Sequence, residues 1–280
     1  MQGKYYSTKV RPTIPASSQN AAAYTAKDVL FGWTAVQIPR GSARLISVTA
    51  IVRGKGDANG TANPFAMDLW FADDDRNALA ASNVVTNAAN AGIPTRDLLG
   101  NVSLEVAGYA ELGDNNMAQV VTSGHTSGTS LVGDFGEAVD FQFNYGSSID
   151  NLVITPKMTL DVNASPTVMG YSTFYMAGIA QGAFDFRNVC AIAEDTAAGA
   201  AAAVAITTDG AVSEIEQFAI GDVLHIGTSA GEPAADSPIG TVAAVVDDLV
   251  TLESASETLL VDGDILYNIH PVEIVLAFEY

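Results

Sequence analysis

The chain predicts an all-β protein: an antiparallel β-sandwich, jelly-roll-like, with a small acidic β-barrel inserted near the C-terminus. Three observations carry that prediction. Short segments of period-two alternation recur between Gly, Pro and Asn turns. Of the 280 residues 48 % are hydrophobic and only 16 % charged, a composition with ample apolar surface to offset chain entropy. The charge is also unevenly divided. All twelve Lys and Arg lie at or before Arg187, alongside sixteen carboxylates, whereas residues 188–280 hold sixteen carboxylates and no base, so the net −20 splits into −4 and −16.

Residues 1–23 read as an extended N-terminal arm. Pro12 and Pro15 bar helix and central strand, and Ser17, Ser18, Gln19 and Asn20 add no periodicity. Lys4, Lys9 and Arg11 make the segment basic, and Tyr5 and Tyr6 give it aromatic rings. Two readings stand: a frayed terminus, or an arm that orders on a neighbouring subunit.

Residues 24–186 read as the sandwich. The segment 33–38 ends at Pro39, with Arg40-Gly41 as a turn. Residues 43–53 alternate with both faces partly apolar, as in a central strand. A Gly-rich loop over 54–60 leads to a strand over 65–72, closed by Asp73, Asp74 and Asp75. Residues 78–91, rich in Ala and Asn, suggest a short helix. Residues 101–109 alternate again, with Val102, Leu104 and Val106 on one face. A Gly/Ser/Thr loop over 113–136 holds one short strand near 118–122. Alternation over 139–145 and strands over 152–155, 157–162 and 170–186 complete the domain.

Residues 187–270 read as the barrel. Segments 220–226 and 261–267 each place Gly-Asp before an aliphatic pair, the Gly supplying positive φ and the Asp a side-chain bond to the turn. Between them, 239–246, the turn Asp247-Asp248 and 249–252 form a hairpin. The apolar strand 271–280 needs a sheet to join, which favours its return to the sandwich and makes the barrel an insertion; two domains in series is the alternative.

Motifs for chemistry are sparse. His125, His225 and His270 form no close local pair of the kind zinc sites use. Gly124-His-Thr-Ser-Gly128 and Gly146-Ser-Ser148 lack nucleophile-elbow spacing, and no phosphate-binding or dinucleotide fingerprint is present. The acidic turns at 57–60 and 73–75 carry oxygen ligands that suit calcium, but they read first as solvated strand-end turns. Trp33 and Trp70 lie in apolar strands, so core packing outweighs a sugar-stacking role. The lone Cys190 can form no intramolecular disulfide. No cofactor, no metal and no enzymatic activity are expected. The one-signed acidic half argues against nucleic acid, the alanine-rich stretch 197–206 is too short to span a bilayer, and residues 1–10 lack the apolar core of a secretion signal.

The arm, the segment Leu30-Phe-Gly-Trp33-Thr-Ala-Val36-Gln-Ile38-Pro-Arg40-Gly-Ser-Ala-Arg-Leu-Ile46 and the strand Asp68-Leu-Trp-Phe-Ala72 together resemble virion structural proteins of tailed bacteriophages of marine and cyanobacterial type. The likeness lies mainly over residues 25–75 and is one of strand phrases, with no catalytic motif. It implies a capsid decoration (cement) protein on the capsid exterior, made in the host cytoplasm. The implied partners are the major capsid protein and further copies of the chain, as a homo-oligomer such as a trimer. In that picture Lys4, Tyr5, Tyr6, Lys9, Arg11, Arg40, Arg44 and Arg53 form the capsid or subunit contact, and the carboxylate-rich barrel projects outward. The acidic barrel departs from the simplest cement proteins and leaves open a tail- or fibre-associated protein that binds a receptor or glycan.

Overall fold

The computed structural model describes residues 5–39, 43–54, 63–72, 75, 79–85, 98–112, 117–123, 153–154, 171–186, 190–193, 205–207, 218–227, 237–247, 249–256 and 258–279. Expectations for the loop 124–136, the strands 139–145 and 157–162, the alanine tract 197–204, His125 and the acidic turns at 57–60 and 73–74 fall outside them.

The chain is all-β and antiparallel. Its elements are β1 (Tyr5–Val10), the helix α1 (Ala16–Ala21), β2 (Val29–Pro39), β3 (Ala43–Arg53), β4 (Met67–Ala72) and β5 (Leu98–Leu104). After a 3₁₀ turn (Val106–Gly108) come β6 (Tyr109–Leu112), β7 (Met117–Ser123), β8 (Val153–Ile154) and β9 (Tyr171–Ala180). The C-terminal part holds β10 (Ala205–Thr207), β11 (Val223–Gly227), β12 (Ser237–Val246), β13 (Leu249–Leu252), β14 (Ile265–Asn268) and β15 (Val272–Glu279).

Two sheets make a sandwich. The first runs β1-β15-β3-β7-β6, with β8 beside β3, and the second runs β2-β9-β4-β5. Alternation aims Leu45, Val48, Ala50, Val52, Ile274, Leu276 and Phe278 of the first sheet at Val36, Ile38, Leu69, Phe71, Val102 and Phe174 of the second, in one buried cluster. Phe174 meets Phe278 across the layers at 6.0 Å between ring centroids. Tyr24 precedes β2, Phe65 precedes β4, and Phe184 and Phe186 follow β9, so antiparallel pairing brings all four to one end of the sandwich. Phe184 stacks on both Phe65 (3.9 Å) and Tyr24 (4.9 Å), and Phe186 sets an edge against all three. Each such ring is worth roughly 1.5–3 kcal/mol of burial. The strand β15, last in sequence, lies between β1 and β3, with Ile274 opposite Val10 on one side and Ala50 on the other.

The third sheet follows the order β10-β13-β12-β11-β14. Its first half lets β12 pair with β11 and its second half with β13, with register shifts at Leu224/His225 and Val242/Ala244 where the sheet coils. Among the described residues no pair joins β10 to β14, and the strands expected as a barrel follow one another in a coiled five-stranded sheet. Its core gathers Cys190, Ile192, Phe218, Leu224, Val242, Val250, Leu252, Leu260 and Leu266.

Three details depart from the sequence reading. Residues 16–21 are helical: proline is tolerated in a first helical turn, and the carbonyl of Pro15 accepts from Ser18 and Gln19. Of residues 78–91, where a short helix was expected, 79–85 are described and hold a turn and a bridge, with Leu79 and Ala80 packed against Trp70 on the outer face of the second sheet; 78 and 86–91 lie outside the described residues. The alternation after residue 104 stops in the 3₁₀ turn, which leaves Val106 half exposed instead of on the core face. Trp70 is buried and Trp33 partly so, both within that same outer cluster.

Candidate functional site

The turns that set the strands come first, because one of them carries a site residue. In 219–222 and 261–264 the third residue is Gly221 or Gly263, at φ 86° and 88°. The Asp that follows accepts, through Oδ2, the N–H of Ala219 (2.9 Å) or Val261 (3.1 Å). Residues 25–28 repeat the arrangement: Asp28 Oδ2 accepts from Thr25 N at 2.6 Å, and Lys27 occupies the positive-φ position at 76°. The three turns launch β11, β14 and β2, with the sequences Gly-Asp-Val-Leu, Gly-Asp-Ile-Leu and Lys-Asp-Val-Leu. The third copy escapes a sequence reading keyed to glycine. Its fixed geometry shows that the Asp, whose carboxylate replaces a backbone acceptor, is the constant element.

Alternation along β1 turns Tyr5, Ser7, Lys9 and then Arg11 to the outer face of the first sheet, all of them exposed, while Tyr6 and Val10 turn inward. Beside them β15 contributes Glu273, Val275, Ala277 and Glu279, each half-buried, and β3 contributes Ser47, Thr49, Ile51 and Arg53. One face therefore carries Tyr5, Lys9, Arg11 and Arg53 of the expected contact residues. Tyr6 departs from that set: it is half-buried and packs against the sandwich core. Lys4 and Arg40 lie outside the described residues, as does the side chain of Arg44, whose backbone pairs with Glu279.

The expected arm is, in this chain, the edge strand of its own sheet followed by a helix wedged against the third sheet. Ile14 N–H donates to the Ile269 carbonyl (2.8 Å), and Gln19 Nε2 donates to the carbonyls of Ile14 (2.7 Å) and Asn268 (2.9 Å). The Tyr267 hydroxyl donates to Asn20 Oδ1 at 2.6 Å, and Ala16 packs with Ile265 and Tyr267. The reason is polar satisfaction: Gln19 and Asn20 are buried, and their amides find partners at Asn268 and Tyr267 of the third sheet as well as at Ile14.

At one end of the face, where the first and third sheets meet, Lys9, Arg11, Arg53, Asp222, His270 and Glu273 line a cleft of about 210 Å³, floored by Ile51 and Pro271. Glu273 takes both Lys9 Nζ (2.7 Å) and Arg11 Nε (2.8 Å). Burial raises its pKa, but the hydrogen bonds and charges of those two cations outweigh that and hold it below the ordinary glutamate value. Arg53 Nη2 lies 3.1 Å from Asp222 Oδ1, an acid only 3 % exposed. Burial is the dominant influence on Asp222 and pushes its pKa up, against the opposing pull of Arg53, the Ala219 amide and Arg11. His270 Nδ1 is 3.1 Å from the carbonyl of Pro12; a carbonyl only accepts, so Nδ1 carries the hydrogen.

Glu273, Asp222 and His270 were not singled out as site residues from sequence. Glu273 and Glu279 share one side of β15, but their partners, Lys9 and Arg11 for Glu273 and the Tyr5 hydroxyl for Glu279, lie more than two hundred residues away in the chain. Among the described residues no group of three or more His, Cys, Asp or Glu is placed to hold a metal ion. Chemically, the arrangement suits docking by backbone pairing and charge: an edge strand with no partner on its outer side among the described residues, and a face rimmed by paired ions. No protein-family model, no curated protein and no solved structure matches this chain.

Proposed function

We propose that the protein is a non-enzymatic structural component of a tailed-phage virion, a capsid decoration protein that binds the outer shell through the exposed face and edge of its first sheet. The observation that carries this reading is the gathering of Tyr5, Lys9, Arg11 and Arg53 on one sheet face, which adjoins the Lys- and Arg-free third sheet at its Arg53–Asp222 end. A polar division of that kind orients a molecule on a surface: the face with cations meets the shell, and the carboxylate-rich part points into solvent, where salt screens its self-repulsion. Repetition over many identical sites turns modest contacts into stable decoration. The strand phrases of residues 25–75, which resemble those of phage virion proteins, supply the identity of the surface.

Electron cryo-microscopy of empty phage heads mixed with the purified protein tests the reading. Regular density on the capsid exterior, with β1 and the adjoining face against the shell, is the expected result. Density restricted to the tail would transfer the protein to the fibre class, and absence of density from the particle would sink a virion role.

A further inference from the structure

β1 is the outermost strand of its sheet: β15 pairs with it on one side, and among the described residues no strand pairs on the other. Antiparallel strands turn the N–H and C=O of alternate residues to opposite sides. Of the six residues Tyr5–Val10, half therefore bond to β15 and half present donors and acceptors outward. An edge of this kind is a template for a further strand unless it is covered or blunted. The side chains along it are polarised. Lys9 is 57 % and Arg11 42 % exposed, and the two share the carboxylate of Glu273, so among the described residues two cations face one carboxylate at that end of the strand. Arg53 and Asp222 balance one another behind them. At the opposite end the hydroxyl of Tyr5 donates to Glu279.

We propose that β1 accepts an extended acidic segment of a partner polypeptide, which joins the first sheet as an added strand and sets a carboxylate against Lys9 and Arg11. Backbone pairing along the edge supplies affinity, and the two cations at the Val10 end of the strand bias the register towards a carboxylate beside them. This rests on the reading of the face as a docking surface and names the chemistry of what docks; it does not depend on the partner being a capsid shell. The N-terminal segment then acts as an acceptor of a neighbour's strand.

The test uses the full-length protein and labelled octapeptides of alternating Thr and Val in which two positions near one end are Glu, Gln or Lys. Fluorescence anisotropy reads binding at low and moderate salt, and amide exchange reads protection along residues 5–10. The expected outcome is salt-sensitive binding of the Glu peptide, slowed exchange at alternate β1 amides, and at least about tenfold weaker binding of the Gln and Lys peptides. Lys9→Gln with Arg11→Gln should cost a similar factor. Glu273→Gln should tighten binding severalfold, because it removes the resident competitor; a merely damaged fold would weaken it instead. Equal binding of the Gln peptide, unchanged exchange in β1 at saturation, weaker binding by Glu273→Gln, or no binding of any Glu peptide would each overturn the proposal. Normal decoration of heads with none of the expected peptide results would leave the shell reading standing and remove this one; the expected peptide results with bare heads would do the reverse.

Discussion

The sandwich and the C-terminal sheet are built from the same antiparallel strands but are held together by different means. The sandwich buries seven phenylalanines in one cluster, four of its rings, Tyr24 included, interlocked at one end. The core of the C-terminal sheet has Phe218 as its aromatic, among aliphatic side chains and Cys190. A smaller core buries less surface per residue and leaves a narrower margin over chain entropy. That sheet leans instead on polar fixtures: the Asp-closed turns before β11 and β14, the Arg53–Asp222 pair, and the buried amides of Gln19 and Asn20. Apolar bulk makes one region self-sufficient, whereas the other depends on how it is docked.

The largest test strikes the aromatic end of the sandwich. Phe184→Ala removes the ring stacked between Tyr24 and Phe65 and should cost about 3–5 kcal/mol in urea-induced unfolding. Amide exchange should accelerate in β2, β4 and β9 more than in β11 and β12. Equal acceleration everywhere would mean that the two regions unfold as one unit and would break the comparison.

Next comes the junction. Asp222→Ala strips the carboxylate from a largely buried Arg53 and the acceptor from the Ala219 amide, at a cost of about 1–3 kcal/mol. Here exchange should rise first in β11 and β14, the converse of the sandwich variant. If β2 and β4 loosen as much, docking stabilises both regions alike.

A smaller effect separates the three related turns. Gly263→Ala puts a Cβ on a residue at φ 88° and should destabilise by about 1 kcal/mol, whereas Lys27→Gly relieves the same strain at φ 76° and should raise the thermal midpoint slightly. A loss of stability on Lys27→Gly would show that the lysine side chain, and not the backbone, governs that turn.

The smallest expected effect is in pH dependence. Glu273 has its folded pKa held down, so its stabilising contribution is present above the ordinary glutamate value and is lost as pH falls through the folded value. Asp222 has its folded pKa raised, so it carries a cost above that value, relieved as pH falls through it towards the ordinary aspartate range. The two tend to offset each other in the wild-type protein. Unfolding midpoints followed from neutral to acid pH should therefore fall less steeply in Glu273→Gln and more steeply in Asp222→Asn. A reversed order would contradict the assignment of the two shifts.

Much of the fold was legible from local pattern. Alternation marked β3, apolar runs marked β4 and the C-terminal strand β15, and Gly-Asp marked two of the three closed turns, because each depends on residues within a few positions of one another. The docking face was legible only in its inventory. Tyr5, Lys9, Arg11 and Arg53 were identifiable as a basic and aromatic set, but Tyr6 belongs to the core because the strand's alternation sends it inward.

What the sequence determined by itself was the β character of the chain, the position of most strands, the segregation of charge and the chemistry of its tight turns; these follow from side-chain periodicity and local backbone preference. The tertiary structure alone decided that residues 5–10 close on the chain's own last strand and that Pro15, expected to bar a helix, caps one. It also decided that Lys9 and Arg11 answer to Glu273, and Arg53 to Asp222. Such pairings join residues far apart in the chain. They are selected by the shared core and by the cost of leaving buried polar groups unmatched, quantities that exist only once the sheets have met.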